Sequence, residues 1–407
     1  MKKVFLSTLL FLFMWCALGT RCYADNIVVV IDPGHGGDNL GAQVDGIVEK
    51  EINLKVATAM YKHLSMYEGV EVHMTHYEDE GLTLKKRAQI AKELNADYVI
   101  SLHFNASEYH QLYGTECWVP YADFYEETYE MASYFIDEFT NLGLYNRGIK
   151  TRLKDDGDNY YGIIRESEKL DIPCVLVEHC HLDNENDAGY YETDKKLEEL
   201  GVLDAKAVAK YLGLKSTRLG VDYSDYSLDI TVPHSENTRD KTGPNECAIT
   251  VKEYNRETGE ISVILTAREE DSRLLYYDYS IDGGLTFTER LPLTSESIEF
   301  SVQMEDGDTP QLVARAYNLN DILTESNLIT LEPVQFPTLE EDVPTIKITG
   351  ADKEKEESRQ KIVAFFILVL VLLLICFFVI ITLYIVKAVT HKKRRKQKRL
   401  EQKRPEE

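Results

Sequence analysis

Cysteine is scarce where an exported protein would use it, and basic charge is scarce along most of the chain. Of seven cysteines in 407 residues, Cys16 and Cys22 fall in the leading stretch and Cys376 in an apolar run near the end, leaving Cys117, Cys174, Cys180 and Cys247. These four give no disulfide framework, and buried free thiols are the expectation. Cys174 and Cys180 lie six apart on a predicted strand, which puts them on one face and too far along it to bridge. A pairing of Cys117 with either stays open. Between residues 25 and 360, 66 acidic side chains face 31 basic ones, a formal charge near −35 against −24 for the whole chain. A surface of that sign repels nucleic acid and argues against DNA or RNA as a partner. There is no H-E-x-x-H, so a metal site would have to be gathered by the fold from distant segments. No long acidic helix is inserted in the first half, and no built-in plug is expected.

The two ends carry addresses. Lys2 and Lys3, the apolar run that follows, and Cys22-Tyr23-Ala24 make residues 1–24 a secretory signal cut before Asp25. No lipid-attachment pattern surrounds Cys22, because Arg21 stands where a small residue is needed. Residues 362–386 hold no charge over 25 positions, enough for a helix of ~37 Å that spans a bilayer. Residues 387–407 then carry ten Lys or Arg against three Glu, which the positive-inside rule places in the cytoplasm. The expected protein crosses the cell membrane once, with its large part outside.

Between these ends the rhythm changes twice. Residues 27–214 alternate strand-like with helix-like runs, which predicts an α/β fold: a doubly wound, mainly parallel sheet with helices on both faces. Ile52, Val56, Met60 and Leu64, spaced by four, predict an amphipathic helix over residues 49–64. Residues 215–245 are polar with Pro233 and Pro244 and read as a linker. Residues 246–332 show six or seven short alternating strands, the pattern of an Ig-like or fibronectin-III-like β-sandwich. A passive spacer is the preferred role for it, with a protein or glycan partner as the alternative. Residues 333–361 are acidic and read as a stalk.

The chemistry gathers where strands stop. The run I-V-V-V-I at residues 27–31 ends in D-P-G-H-G-G, which sets His35 at the carboxyl end of a buried strand. His103 ends D-Y-V-I-S-L-H, Glu178 ends C-V-L-V-E, and Glu49 opens the amphipathic helix. In a doubly wound sheet those positions converge on one edge. Two imidazoles and two carboxylates there suit a catalytic zinc of the His2Glu type, with an open position for water and a spare carboxylate for protons. Singly, His35 is as readily an incidental histidine in a glycine turn, and Glu178 a surface or capping carboxylate.

Six blocks in order carry a family resemblance: D-P-G-H-G-G at residues 32–37, E-K-E-I-N-L at 49–54, L-K-K-R-A-Q-I-A at 84–91, S-L-H-F-N-A at 101–106, N-R-G-I-K at 146–150 and I-P-C-V-L-V-E at 172–178. Over residues 27–214 the chain resembles the zinc-dependent N-acetylmuramoyl-L-alanine amidases, of the amidase type 3 kind. The resemblance implies that His35, Glu49 and His103 bind zinc, that Glu178 is the catalytic carboxylate, and that the substrate is peptidoglycan, cut between N-acetylmuramic acid and L-alanine. After the catalytic Glu the family usually continues with a small residue, Gly and Phe. This chain has His179-Cys180-His181-Leu182, a reshaped loop in which His181 is a candidate extra ligand or proton shuttle. Arg87, Asn105 and Arg165 are candidates to orient substrate or zinc ligands, and Asn105 suits support of a ligand better than substrate contact. The alternatives are an inactive wall-binding scaffold on the same fold, and a zinc peptidase or deacetylase acting on another wall bond.

Overall fold

A computed structural model describes residues 26–107, 110–239 and 241–337. The secretory signal at residues 1–24, the apolar span at 362–386 and the basic tail at 387–407 lie outside the described residues, as does most of the acidic stalk. Among the described residues no helix is long and apolar enough to cross a membrane.

The first half is built on six strands: β1 (Ile27–Pro33), β2 (Val70–Met74), β3 (Tyr98–Asn105), β4 (Thr115–Trp118), β5 (Asn146–Lys150) and β6 (Cys174–His181). They lie side by side in the order β2-β1-β3-β6-β4-β5. The first four in that row run parallel; β4 meets β6 antiparallel, and β5 follows β4. The sheet is therefore mixed at one edge.

Helices cover both faces. On one side α1 (Glu49–Leu64), α3 (Tyr125–Leu142) and α6 (Asp194–Tyr211) close a core that includes Val29, Ile31, Leu102 and Val177. Ile52, Val56, Met60 and Leu64 of α1 are all buried there, so the spacing of four reports the face that packs. On the other side α2 (Leu84–Glu93) and α4 (Gly162–Glu168) cover Val30, Val99, Cys174 and Leu176. Thr83 caps α2, its hydroxyl accepting from the Lys86 amide at 3.2 Å. A four-residue helix, α5 (Glu185–Ala188), leads from β6 toward α6.

Beyond Glu246 two antiparallel sheets enclose a second core. One joins β7 (Glu246–Asn255), β8 (Glu260–Arg268) and β11 (Ser297–Gln303). The other joins β9 (Leu274–Ser280), β10 (Leu291–Pro292), β12 (Gln311–Asn318) and β13 (Leu323–Glu325), with β14 (Ile329–Thr330) also paired to β12. Every second residue of β8, from Ile261 to Ala267, is fully buried against Leu312, Ala314 and Ala316 of β12. Strict alternation of this kind makes a β-sandwich.

Four sequence expectations need correction. Residues 215–232 are not a free linker: Lys215–Ser216 pair with Val221–Asp222, and Tyr223, Tyr226, Leu228, Ile230 and Val232 pack on the α/β core. The period of two from Tyr226 to Val232 was the overlooked signal. The stalk begins later than residue 333, because Val334 is 2% exposed in the sandwich core. β6 does not stop at Glu178 but runs to His181. Finally, Cys174 and Cys180 do not share a face: Cys174 packs on the α2/α4 side and Cys180 on the α1/α3/α6 side. The cause is a bulge. His103 pairs with Glu178 and Asn105 with His181, so β6 spends one residue more than β3 between the two rungs and its alternation inverts. Cys117, Cys174, Cys180 and Cys247 are free thiols.

Candidate metal centre

β1 ends in a loop that the fold holds very tightly. The Gly34 amide donates to the Leu102 carbonyl at 2.9 Å, and the Arg87 guanidinium donates to the carbonyls of Pro33, at 2.6 Å, and His35. Arg87 also pairs at 2.8 Å with buried Asp32, which in turn accepts from Thr75 and Ser101. A Cβ at Gly34 would fall 2.2 Å from the His103 ring, so only glycine lets this loop lie on β3. His35 itself takes a φ of +66°, in the left-handed region. That strained turn projects its ring across the strand end.

The imidazole orientation follows from its neighbours. Asn39 Oδ1 accepts from the Gly41 amide and lies 3.0 Å from His35 Nδ1, so Nδ1 carries the hydrogen and Nε2 offers its lone pair. That Nε2 lies 3.0 Å from Glu49 Oε2, and His103 Nδ1 lies 3.0 Å from Glu49 Oε1. Glu49 begins α1, is 3% exposed, and accepts from the amides of Ala42 and Phe104 and from Asn53 Nδ2. Burial alone would raise its carboxyl; the imidazoles of His103 and His35 hold it well below the ordinary range. Burial likewise opposes, and Glu49 overcomes, a rise at His35.

His35, Glu49 and His103 each present a donor atom, and the three donors lie within 4.8 Å of one another. Two imidazoles and one carboxylate converging on one point are the donor set and charge that a divalent transition metal takes. The residues present fit such an ion.

Glu178 stands at the adjoining rung, cross-strand partner of His103 on one side and of Glu116 on the other. It is 8% exposed, and its Oε2 is buried with no hydrogen-bond partner among the described residues. Burial first, then the charges of Glu49 and Glu116, push its carboxyl well above the ordinary value. A carboxylate in that state is a stronger base than one in water.

The remaining candidates divide. Arg87 braces the His35 loop, and Asn105 donates to Glu116 Oε1 at 2.8 Å. Arg165 donates to the carbonyls of Asn159 and Tyr160, bracing a loop rather than the metal corner. His181 is fully buried and stands outside the three-donor group. Burial and the nearby Arg147 charge lower it to about 4, so it stays neutral. His179 is structural: its Nδ1 donates to the His103 carbonyl at 2.9 Å, and its ring stacks on Phe104. Sequence reasoning missed Glu116, Arg147 and Lys150. Charges set inside otherwise apolar strands, as in T-E-C-W, were the available signal.

The α/β half is similar to known proteins. The family profile described as N-acetylmuramoyl-L-alanine amidase matches residues 29–210. Over 192 residues the chain is 27% identical to the N-acetylmuramoyl-L-alanine amidase CwlM of Bacillus licheniformis, covering 46% of this chain and 70% of that one. It is 29% identical over 193 residues to the sporulation-specific N-acetylmuramoyl-L-alanine amidase of Bacillus subtilis, covering 47% and 70%. Among solved structures, the catalytic domain of CwlV, an N-acetylmuramoyl-L-alanine amidase from Bacillus (Paenibacillus) polymyxa var. colistinus, is similar at 29% identity, with a TM-score of 0.41 and coverage of 46% and 99%.

Proposed function

The chain belongs to the amidase type 3 family and is an N-acetylmuramoyl-L-alanine amidase of peptidoglycan, and from that premise we propose that it is a zinc hydrolase tethered to the cell membrane. The observation that carries the reading is the convergence of His35, Glu49 and His103, with the unpaired oxygen of Glu178 one strand away. Zinc bound by those three donors would supply Lewis acidity and bring the pKa of its water to ~7.

The protein's own contribution is to hold and move one proton. Glu178 Oε2, lacking a hydrogen-bond partner, is free to take the proton of the attacking water. Burial, with the charges of Glu49 and Glu116, raises its carboxyl and so strengthens it as a proton acceptor. The same oxygen then returns the proton to the L-alanine nitrogen as the amide bond breaks, so the stem peptide leaves with a free amino terminus and the lactyl group as a carboxylate. Asn39 fixes the His35 ring beforehand, which removes reorganisation from the reacting step. Arg87 keeps the turn carrying it from relaxing.

The tether rests on sequence: a secretory signal at residues 1–24, an uncharged span at 362–386 and a basic tail at 387–407. Digestion of purified wall by the full-length chain, read by mass spectrometry together with metal analysis, tests the whole. Released stem peptides beginning at L-alanine and about one zinc per chain are expected. Release of acetate, or cleavage within the stem, would assign a deacetylase or peptidase instead.

A further inference from the structure

The two halves meet over a cavity of about 840 Å³. On the α/β side its wall includes Tyr145 and Asn146, where β5 begins, and Asp187 and Tyr190, which follow β6. The sandwich contributes Arg273, at the entry to β9, and residues 293–296. A second cavity of about 510 Å³ shares Asn146, Ser272 and Arg273 with the first and is bordered by Tyr129 of α3. Together they form a groove along the junction, with Arg273 at its middle.

Arg273 is exposed to this groove and pairs with no carboxylate among the described residues. Its Nη2 donates to the Asn146 carbonyl at 2.9 Å and to the Asn146 side-chain oxygen at 3.2 Å. That sets the guanidinium in place and leaves its remaining N–H groups for a ligand. The acids around it are engaged or stand at the rim. Glu269 accepts from the amides of Asp271 and Ser272, Glu270 pairs with Arg268 at 3.0 Å, and Asp187 accepts from the amides of Gly114 and His181. Asp271 and Glu296 are exposed. A negative rim of this kind repels a polyanion and admits a ligand whose carboxylates are widely spaced. The groove is also close to the chemistry. Asn146 pairs with Thr115 of β4, whose hydroxyl donates to the Glu178 carbonyl at 3.2 Å. Arg273 is therefore anchored two strands from Glu178, roughly 10 Å at the usual spacing of neighbouring strands.

Each cut by the enzyme turns the amide on a muramic lactyl group into a carboxylate and leaves the glycan otherwise whole. Tyrosines, amide side chains and hydroxyls beside one fixed guanidinium are the groups that hold a sugar chain bearing such carboxylates. We propose that the groove is a binding site for the glycan strand of peptidoglycan already stripped of its stem peptides, with Arg273 receiving a lactyl carboxylate that an earlier cut exposed. An uncut strand offers a neutral amide at the same place and is held less well. The sandwich then forms one wall of a binding site and keeps the enzyme on glycan that it has begun to strip. This rests on the amidase assignment for the origin of the carboxylate.

The experiment measures binding of the full-length zinc-loaded chain, in detergent, to soluble glycan strands freed of all stem peptides, which contain no bond for the enzyme to cut. Wild type should bind them ~10-fold more tightly than the same strands with their lactyl carboxylates capped as methylamides. Arg273→Ala should lose ~10-fold in affinity for the free strands, and Arg273→Lys should recover part of that loss. Thr294→Trp, at an exposed position in the sandwich wall of the cavity, should weaken binding by obstruction while Arg273 stays in place. Should Arg273→Ala fail to fold, Thr294→Trp decides alone: a Kd within about twofold of wild type overturns the proposal, and a larger rise supports it. Equal affinity for free and capped strands overturns it as well, as does a Kd within about twofold of wild type in folded Arg273→Ala. So does loss of binding when zinc is chelated, which would seat the carboxylate on the metal, or competition by free stem peptide, which would give the groove to the peptide. Release of stem peptides from intact wall is assayed separately. A wild-type chain that releases none removes the amidase assignment, whereas failure to bind stripped strands overturns the proposal and leaves that assignment standing.

Discussion

Two groups of charged side chains flank Glu178, and they differ in what meets each carboxylate. On the β3 side, Glu49 is met by two imidazoles. On the β4 side, Glu116 is met by the fixed cations Arg147 and Lys150, with Asp321 and Arg290 beyond them. Burial alone does not distinguish a binding site from a structural one, since Glu49 and Glu116 are 3% and 2% exposed. The partners do: a carboxylate gathered with two imidazoles is a donor set for an ion, and one paired with fixed cations is built to hold its shape.

The largest test of this contrast removes what lies between. Glu178→Gln keeps the size of the side chain and should cost ~10²–10⁴-fold in kcat while zinc content stays unchanged and the melting temperature does not fall. A residual rate above a tenth of wild type would move the proton transfer elsewhere. Next in size, His103→Ala should strip the metal, falling from about one zinc per chain to near none by elemental analysis. If the β4 side bound the ion instead, zinc would survive.

Glu116→Ala probes the closed group. It strands two buried cations and should cost ~3–5 kcal/mol in denaturant unfolding, with zinc content intact in the folded fraction. A loss below ~1 kcal/mol would show that the group is not tight. The smallest effect concerns Asp187, which accepts from the amides of Gly114 and His181 and is raised by burial to about 6. A carboxyl raised on folding favours the folded state below its unfolded value of 3.8 and loses that contribution as pH rises through about 6. Asp187→Asn should therefore raise the melting temperature by a few degrees relative to wild type at pH 7.5, and not at pH 4. An equal change at both pH values would contradict the assignment.

Much of the α/β half was legible because its signals are local. Five β-branched residues ending in D-P-G-H-G-G announce a central strand and its loop, and Ile52, Val56, Met60 and Leu64 announce the helix that Glu49 begins. The convergence of His35, Glu49 and His103 followed from strand ends lying along one edge. What escaped depends on pairing between distant segments. The inversion at Cys180 comes from a register slip against β3, which has no mark in the sequence of β6 itself. The role of Arg147 is invisible until a residue 174 positions away is placed against it. Residues 226–232 do carry an alternating pattern, but Ser227, Asp229 and Thr231 between the apolar positions masked it as a linker.

The slip in β6 begins only after Glu178, and this divides the strand into two halves that answer to different constraints. Upstream, every side chain is locked in step with β3, so a change of length there would carry the base out of the cleft. Downstream, the added residue has already absorbed the mismatch, so the buried run from His179 to Leu182 alternates in the opposite phase while Glu178 keeps its place. The bulge acts as an expansion joint between a half-strand that aims Glu178 and one that braces His103 through His179.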